Sequence, residues 1–415
     1  MAAAPGLPPS IVSHPGGSVI GGALIAALLC AAGCQSTPRR IPAARRAAPV
    51  DPARVLVAEG DTARRDGRLD EAAEIYRRAI DADATLVPAH LRYAEALVAA
   101  GRRRNALDFY AGRAAAPGAS TVDRVIAARL ATDGSAAAVR AVYVQAAKAE
   151  PANPWWRLAL AEVDLAAAER ALSARETARK AGDRPRAEAY DLRVRSALSR
   201  AESAVEHASE RDASLAEVSL YRGLVRSFEA DLLGSGSARA AAYKAAAEAF
   251  RRATTDDPDL VEAWANLGDV STRAGDLPGA IVAYQAAVRL APQDADLREG
   301  LGLALHEAER HADAAAQYAE AARLRPRDGR PLLSVGDSWA ATGDLQRALA
   351  AYDQALVRGP ATVEAYAKRG AALERLGRLA EAREAYAIYV EKNGKESADV
   401  KRRIERILAP TASCR

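Results

Sequence analysis

The chain has 415 residues, of which half are hydrophobic and only 5% aromatic, and its 58 basic and 54 acidic residues leave a net charge of +4. This small surplus is spread along the chain without a basic run between aromatic residues, which argues against a nucleic-acid-binding surface. The three cysteines, Cys30, Cys34 and Cys414, lie near the two ends, which excludes a disulfide framework or a cysteine metal cluster inside the body of the chain. We therefore expect no cofactor and no bound metal.

The first segment of the chain is apolar and uncharged over residues 19–33. Its length fits the core of a signal peptide, which needs about 7–15 apolar residues, better than a membrane-spanning helix, which needs about 20. The segment ends in Ala31-Ala32-Gly33-Cys34, which resembles the lipobox of bacterial lipoproteins. The resemblance implies a signal peptide over residues 1–33 and lipidation of Cys34, which would become the first residue of the mature protein.

The residues after Cys34 predict a flexible tether over positions 34–52, because they are rich in proline and arginine and lack helical periodicity. By the sorting rule of the lipoproteins that the motif resembles, Gln35 implies delivery to the periplasmic side of the outer membrane. Since no lysine or arginine precedes Arg39, two alternatives stay open. These are a signal peptide cleaved without lipidation and an uncleaved N-terminal anchor.

A period of 34 residues runs through positions 261–396 without an insertion. The positions that recur are small or aromatic: Gly268, Gly302, Gly336 and Gly370; Ala280, Ala314, Ala348 and Ala382; Tyr284, Tyr318, Tyr352 and Tyr386; Pro292, Pro326 and Pro360. The pattern resembles the tetratricopeptide repeat, whose signature is W-x2-L-G-x2-Y followed by Ala, an aromatic residue and Pro. The resemblance implies an all-α fold, a right-handed superhelical solenoid of antiparallel helix pairs.

Each recurring residue has an expected role in such a unit. The glycines and alanines are expected where the two helices of a unit cross closely, and the tyrosines in the gap toward the next unit. Gly275, Gly343 and Gly377 are expected to end the first helix, because glycine accepts the left-handed conformation at little cost. The prolines are expected to stop the second helix.

The period continues less regularly toward the N-terminus. Residues 53–153 predict N-terminal repeat units, and 154–260 predict irregular units with long helices and a break near 182–185. Residues 397–415 predict a capping helix and a tail. The pair Trp155-Trp156 opens the irregular part and has two readings, buried packing or a second contact site.

No pattern of catalytic residues emerges, so the chain is not expected to be an enzyme. His306 and His311 lie five residues apart, whereas a zinc-protease helix needs two histidines four apart on one face. We expect both to be exposed residues at a turn. His90 and His207 have no accompanying nucleophile or ligand motif.

The resemblance also implies a binding surface, because the first helices of such repeats line the concave face of the array. Its residues in this sequence are Glu262, Asn266, Asp269, Glu299, His306, Ser334, Asp337, Glu364 and Lys368. The set leans acidic and suggests a basic or extended peptide as ligand, while simple solvation of these residues remains the alternative. Charge reversal at Glu262, Asp269 and Glu299 together is expected to weaken partner capture.

These features lead to one functional hypothesis and one rival. The hypothesis is a lipid-anchored, non-enzymatic protein–protein interaction scaffold or assembly adaptor of the bacterial cell envelope. The rival is a regulatory or accessory subunit of an enzyme or export complex, soluble in the periplasm. Both imply other proteins or peptide segments as partners.

Overall fold

The structure is a computed structural model that describes residues 52–132, 135–233, 236–358, 363–393 and 402–403. Over these residues the chain forms eighteen helices in pairs and no strand, which confirms the all-α solenoid. The helices are α1 Pro52–Arg65, α2 Leu69–Ala82, α3 Val87–Ala99, α4 Arg103–Ala115, α5 Thr121–Ala131, α6 Ala136–Ala149, α7 Pro154–Lys180, α8 Arg184–Ser209, α9 Ala216–Leu232, α10 Ser237–Asp256, α11 Val261–Ala274, α12 Leu277–Leu290, α13 Ala295–Glu307, α14 His311–Leu324, α15 Arg330–Thr342, α16 Leu345–Arg358, α17 Val363–Arg375 and α18 Leu379–Asn393.

The close crossing of the two helices in a unit is confirmed, and an aromatic ring determines it. A Cβ atom added to Gly268 would lie 2.7 Å from the ring of Tyr284, and one added to Gly370 would lie 2.6 Å from the ring of Tyr386. The ring of Tyr284 also lies against Gly300 of the following unit. The tyrosine therefore packs within its own unit as well as toward the next one, and no side chain can replace these glycines without displacing it.

Glycine ends the first helix of several units, as the sequence predicts. Gly275, Gly343 and Gly377 have φ angles of 80°, 86° and 76°, in the left-handed region. The equivalent position between α13 and α14 is Glu309, whose φ of 60° makes it the only non-glycine residue with positive φ in the described part of the chain. An L-residue pays about 1–2 kcal/mol for this conformation, so the turn is strained there.

Replacing Glu309 with glycine is therefore expected to stabilise the protein. The side chain is exposed, and the gain from relieving the left-handed strain exceeds the loss of backbone entropy, leaving about 0.5–1 kcal/mol. Urea unfolding followed by circular dichroism measures the change, with Glu309→Ala as the control that keeps the strain. Equal stabilities of the glycine and alanine variants would contradict the explanation.

The middle of the array contains its longest helices, α7 with 27 residues and α8 with 26. They are joined by a short turn at Gly182, whose φ is 73°, and the Asp183 side chain caps α8 by accepting from the backbone N–H of Arg186 at 3.0 Å. Trp156 is fully buried and stacks on Tyr143 with 6.4 Å between ring centroids. The packing interpretation therefore holds for Trp156, while Trp155 is partly exposed beside it.

Several predicted features lie outside the described residues. These are the signal peptide, Cys34, the tether up to residue 51, and Pro360 in the third regular unit. Of the predicted capping segment only residues 402 and 403 are described, and both are helical. Within the described ranges, no helix combines the length and the apolar character needed to cross a membrane.

Candidate functional site

The nine residues of the predicted groove lie on the first helices of four consecutive units. Glu262, Asn266 and Asp269 belong to α11, Glu299 and His306 to α13, Ser334 and Asp337 to α15, and Glu364 and Lys368 to α17. First helices pack side by side in this part of the array, α11 against α13 and α15 against α17. The structure therefore places all nine residues along one row of helices, where eight are partly exposed and Glu364 is exposed.

Three of the predicted residues belong to one polar cluster that joins α13, α15 and α17. The Nδ1 atom of His306 lies 3.2 Å from the hydroxyl of Ser338, and the ammonium of Lys368 donates to both carboxylate oxygens of Asp337 at 2.8 and 2.7 Å. The hydroxyl of Tyr352 donates to the same carboxylate at 3.0 Å. Ser338 is not among the residues predicted from the repeat pattern, although it lies one helical turn after Ser334 and so on the same face.

The negative charge expected in the groove is largely neutralised by arginines that the repeat pattern did not predict to lie there. Arg325 pairs with Glu299 at 3.0 Å, and Arg273 pairs with Asp269 at 2.9 Å. Burial raises the pKa of Glu299 although Arg325 opposes that shift. The side-chain amide of Asn266 donates to the backbone carbonyl of Glu262 in its own helix at 2.7 Å.

Glu262 faces arginines from the beginning of the chain. Its carboxylate lies 3.8 Å from Arg64 of α1 and 3.6 Å from Arg92 of α3. Residues about 200 positions apart therefore meet, which requires the first helices to curve back on one another across the inner face of the array. The sequence could not indicate this contact, because the repeat pattern reflects only interactions within a unit and between neighbouring units.

The inner face of the N-terminal half is filled by further ion pairs between first helices. Arg129 of α5 donates to Glu95 of α3 at 3.1 Å, and the two side chains are only 11% and 19% exposed. On the next first helices, Tyr221 of α9 donates to Glu162 of α7 at 3.3 Å. Burial first, and then the nearby Glu95, raises the pKa of Glu162. We call this set of residues with Arg64, Arg92 and Glu262 the inner ion-pair network.

His306 and His311 flank the turn where the sequence places them, but the expectation that both are exposed is wrong. His306 lies in the last turn of α13 and His311 begins α14, so the two do not share a helix, and both are partly buried. Their ring centroids are 4.7 Å apart. Burial and the neighbouring His311 lower the pKa of His306. Nowhere in the described residues do three or more histidine, cysteine or carboxylate side chains come together in a way that could hold a metal ion.

His90 has a structural position. It is fully buried, with Nε2 at 3.0 Å from the carbonyl of Ala84 and Nδ1 at 3.2 Å from the hydroxyl of Tyr110. Burial lowers its pKa, which favours the neutral ring. His207 is on the exposed side of α8 and its ring bonds the carbonyl of Ser203, one turn earlier.

The sequence profile of the tetratricopeptide repeat matches four segments of the chain, residues 41–87, 238–295, 273–329 and 336–397. Together with the helix pairs and the glycine–tyrosine crossing, this match decides the family. The chain is a tetratricopeptide-repeat protein. A comparison of this sequence with curated proteins found no match.

Several solved structures are similar to this tetratricopeptide-repeat chain. A MamA protein is 22% identical, with 43% of this chain and 92% of that chain covered and a TM-score of 0.39. YrrB, described as a TPR protein with an unusual peptide-binding site, is 18% identical, with 49% and 97% covered and a TM-score of 0.39. The pilF protein of Pseudomonas aeruginosa is 15% identical, with 58% and 96% covered and a TM-score of 0.38.

Proposed function

We propose that this tetratricopeptide-repeat protein is a non-enzymatic scaffold or assembly adaptor of the bacterial cell envelope. It holds an extended peptide segment of a partner protein along α11, α13, α15 and α17, and a lipid on Cys34 anchors it to the periplasmic side of the outer membrane. The observation that carries the binding function is the row of partly exposed polar side chains on four consecutive first helices. Such a row offers donors and acceptors at the regular intervals of the repeat to the backbone and side chains of an extended ligand.

The two halves of the array differ in how much of their inner face is free for a ligand. In the N-terminal half, the inner ion-pair network already occupies this face, with Glu95 and Arg129 less than a fifth exposed. In the C-terminal half, Asp337 and Lys368 remain 34% and 39% exposed although they pair with each other. A ligand there can bind without displacing a buried ion pair, which favours the C-terminal half as the binding surface.

The charge of the groove fits a ligand that binds mainly through hydrogen bonds and shape. Glu299, Asp269 and Asp337 each have a cationic partner within 3.0 Å. Glu364 is exposed and has no cationic partner among the described residues. A basic residue of the ligand is therefore expected at the α17 end of the groove.

The function is tested by blocking the groove. Ser334→Trp places a large ring among the first helices, and Glu364→Lys reverses an exposed charge without breaking an ion pair. Crosslinking and affinity purification from the native host are expected to recover a partner with the wild type and about tenfold less with either variant, which corresponds to about 1.4 kcal/mol of lost binding. Val282→Trp is the matched control, because Val282 lies on the second helix α12 and is 61% exposed.

The comparison between variants decides the outcome. Circular dichroism verifies that all three proteins keep their helices. If the wild type and both groove variants recover the same partners in the same amounts, the groove proposal is wrong. The charge reversal of Glu262 is a less specific test, because it would also break the contacts with Arg64 and Arg92 inside the array.

The anchor is tested separately. Cys34→Ser removes the only sulfur that the lipobox motif offers for lipidation, so the variant is expected to move from the membrane fraction to the soluble fraction. A variant that still fractionates with membranes would show that the chain is anchored by another segment. This result would leave the groove proposal untouched.

A further inference from the structure

The long helices α7 and α8 extend beyond the unit that precedes them. At a rise of 1.5 Å per residue, their 27 and 26 residues make them about 40 Å long. The preceding helices α5 and α6 have 11 and 14 residues and reach only about 17–21 Å. In a solenoid each unit buries its two faces against its neighbours, so one face of the extension has no preceding unit to cover it.

An ion-pair cluster marks the end of the covered part. Asp164 of α7 is buried, and it accepts from Arg140 of α6 at 3.1 Å and from Arg200 of α8 at 2.8 Å. On the opposite face the following unit continues to cover the hairpin, because Arg175 reaches the backbone carbonyl of Asp231 in α9 at 3.4 Å. The uncovered face is therefore the one toward the N-terminal units.

A groove of about 520 Å³ lies on α7 and α8 directly beyond Asp164. Its floor is apolar and includes Ala167, Ala171 and the ring of Tyr190. Leu192 stands beside it with 70% of its surface exposed, one of the most exposed large apolar residues in the described part of the chain. An exposed apolar surface of this kind is typical of a contact site for another protein.

The rim of the groove is cationic: Arg170, Arg193 and Arg200 line it, and of these Arg200 pairs with Asp164. Arg170 and Arg193 are exposed, and the side chain of neither forms an ion pair or a hydrogen bond with a described residue. Arg193 lies over the ring of Tyr190, with its guanidinium carbon 5.1 Å from the ring centroid. On the same two helices, Arg175 pairs with Asp191 and Arg200 pairs with Asp164, so Arg170 and Arg193 are the groove arginines that remain open to an acidic ligand.

We infer that the groove on α7 and α8 is a docking site for an amphipathic helix of a partner protein, with acidic residues on both sides of an apolar stripe. The stripe would cover Leu192 and Tyr190, and the acidic residues would pair with Arg170 and Arg193. An apolar groove between two helices that receives a third helix is a recurrent mode of recognition. This surface is separate from the concave face. The inference therefore does not depend on the function proposed for the concave face.

The test uses three synthetic helical peptides with one apolar stripe, flanked by glutamate, by glutamine or by lysine. Fluorescence anisotropy with the full chain is expected to rank the glutamate peptide first and the lysine peptide last. Arg170→Glu/Arg193→Glu is expected to weaken binding of the glutamate peptide about tenfold or more, because like charges then meet across the contact. Arg186→Glu/Arg195→Glu is the matched control, with the same charge change at exposed positions of α8 outside the groove.

The apolar contribution is tested with Leu192→Gln, which is expected to weaken binding of all peptides with the stripe. The inference is overturned if none of the peptides binds, if they bind equally, or if the control pair weakens binding as much as Arg170→Glu/Arg193→Glu does. Vesicles containing phosphatidylglycerol distinguish a lipid surface from a protein helix. The inference would also be overturned if these vesicles retained the chain, if Arg170→Glu/Arg193→Glu alone abolished this retention, and if no peptide bound.

Discussion

Replacing Gly268 with alanine is expected to lower the free energy of unfolding by about 1–2 kcal/mol. The added methyl group would lie 2.7 Å from the ring of Tyr284, closer than such atoms pack, so the ring or the helices must move. Overpacking of this kind costs about 1–3 kcal/mol, and the better helix propensity of alanine recovers up to about 1 kcal/mol. Urea unfolding followed by circular dichroism and tryptophan fluorescence measures the difference.

Gly112 provides the matched control for this prediction. It lies in α4, is exposed, and an added Cβ would have no atom within 4 Å. Gly112→Ala is therefore expected to raise the free energy of unfolding by up to about 1 kcal/mol through helix propensity alone. Opposite signs for the two replacements would establish that the tyrosine contact, and not glycine itself, determines the cost. If both replacements stabilised the protein, the close crossing would be wrong.

Replacing Arg129 with methionine is expected to lower the free energy of unfolding at neutral pH by about 3–5 kcal/mol, the usual cost of removing one partner from a buried ion pair. The side chains of Arg129 and Glu95 are 11% and 19% exposed and lie 3.1 Å apart. Without Arg129, the carboxylate of Glu95 keeps only the longer contact with Arg92 at 3.5 Å. It stays on the inner face near Glu162, whose pKa is already raised by burial and by Glu95. The variant therefore carries a charge that is both desolvated and repelled.

The effect of Arg129→Met is expected to shrink in acid. Burial alone would raise the pKa of Glu95, but the guanidiniums of Arg129 and Arg92 lower it below the ordinary value of 4.5. A carboxyl group with a lowered pKa stabilises the fold above its ordinary pKa and loses this contribution as the pH falls through the folded value. The difference in unfolding free energy between wild type and variant should therefore be largest at neutral pH and decrease as the pH falls and Glu95 becomes protonated.

The control for this prediction is an exposed pair of an arginine and a carboxylate. Arg104 and Asp108 lie 3.1 Å apart on α4, with side chains 83% and 60% exposed. Arg104→Met is expected to change the free energy of unfolding by less than about 0.5 kcal/mol, because water screens the pair. A loss from Arg129→Met that is as small as this, or that does not vary with pH, would contradict the role given to the inner ion-pair network.

The regular part of the fold could be predicted from the sequence because its determinants are local. Gly268 and Tyr284 belong to one unit, and their contact follows from the crossing of two helices that are adjacent in the chain. The same holds for Gly275, whose positive φ ends α11. A local interaction that is repeated in every unit produces a period of 34 residues in the sequence. This period can be recognised without knowing the overall shape of the array.

The candidate site could be predicted from the sequence only in part. The repeat positions predicted which helices carry the nine groove residues, but not which side chains those residues contact. Arg325 follows the end of α14 and Ser338 lies on α15, whereas the residues they contact, Glu299 and His306, lie on α13. Their side chains are brought into the groove by packing between units, which a single-unit pattern does not specify. The expectation that His306 and His311 are exposed failed because their rings pack against each other at the turn between α13 and α14.

The sequence by itself determined the family, the pairing of helices and the row of first helices available for binding. Only the tertiary structure decided which parts of that row are free. The curvature of the array results from small rotations at every interface between units, so the meeting of Arg92 with Glu262 is specified by no single repeat. The uncovered groove on α7 and α8 likewise arises because two long helices follow two short ones, and its exposure depends on how the units stack.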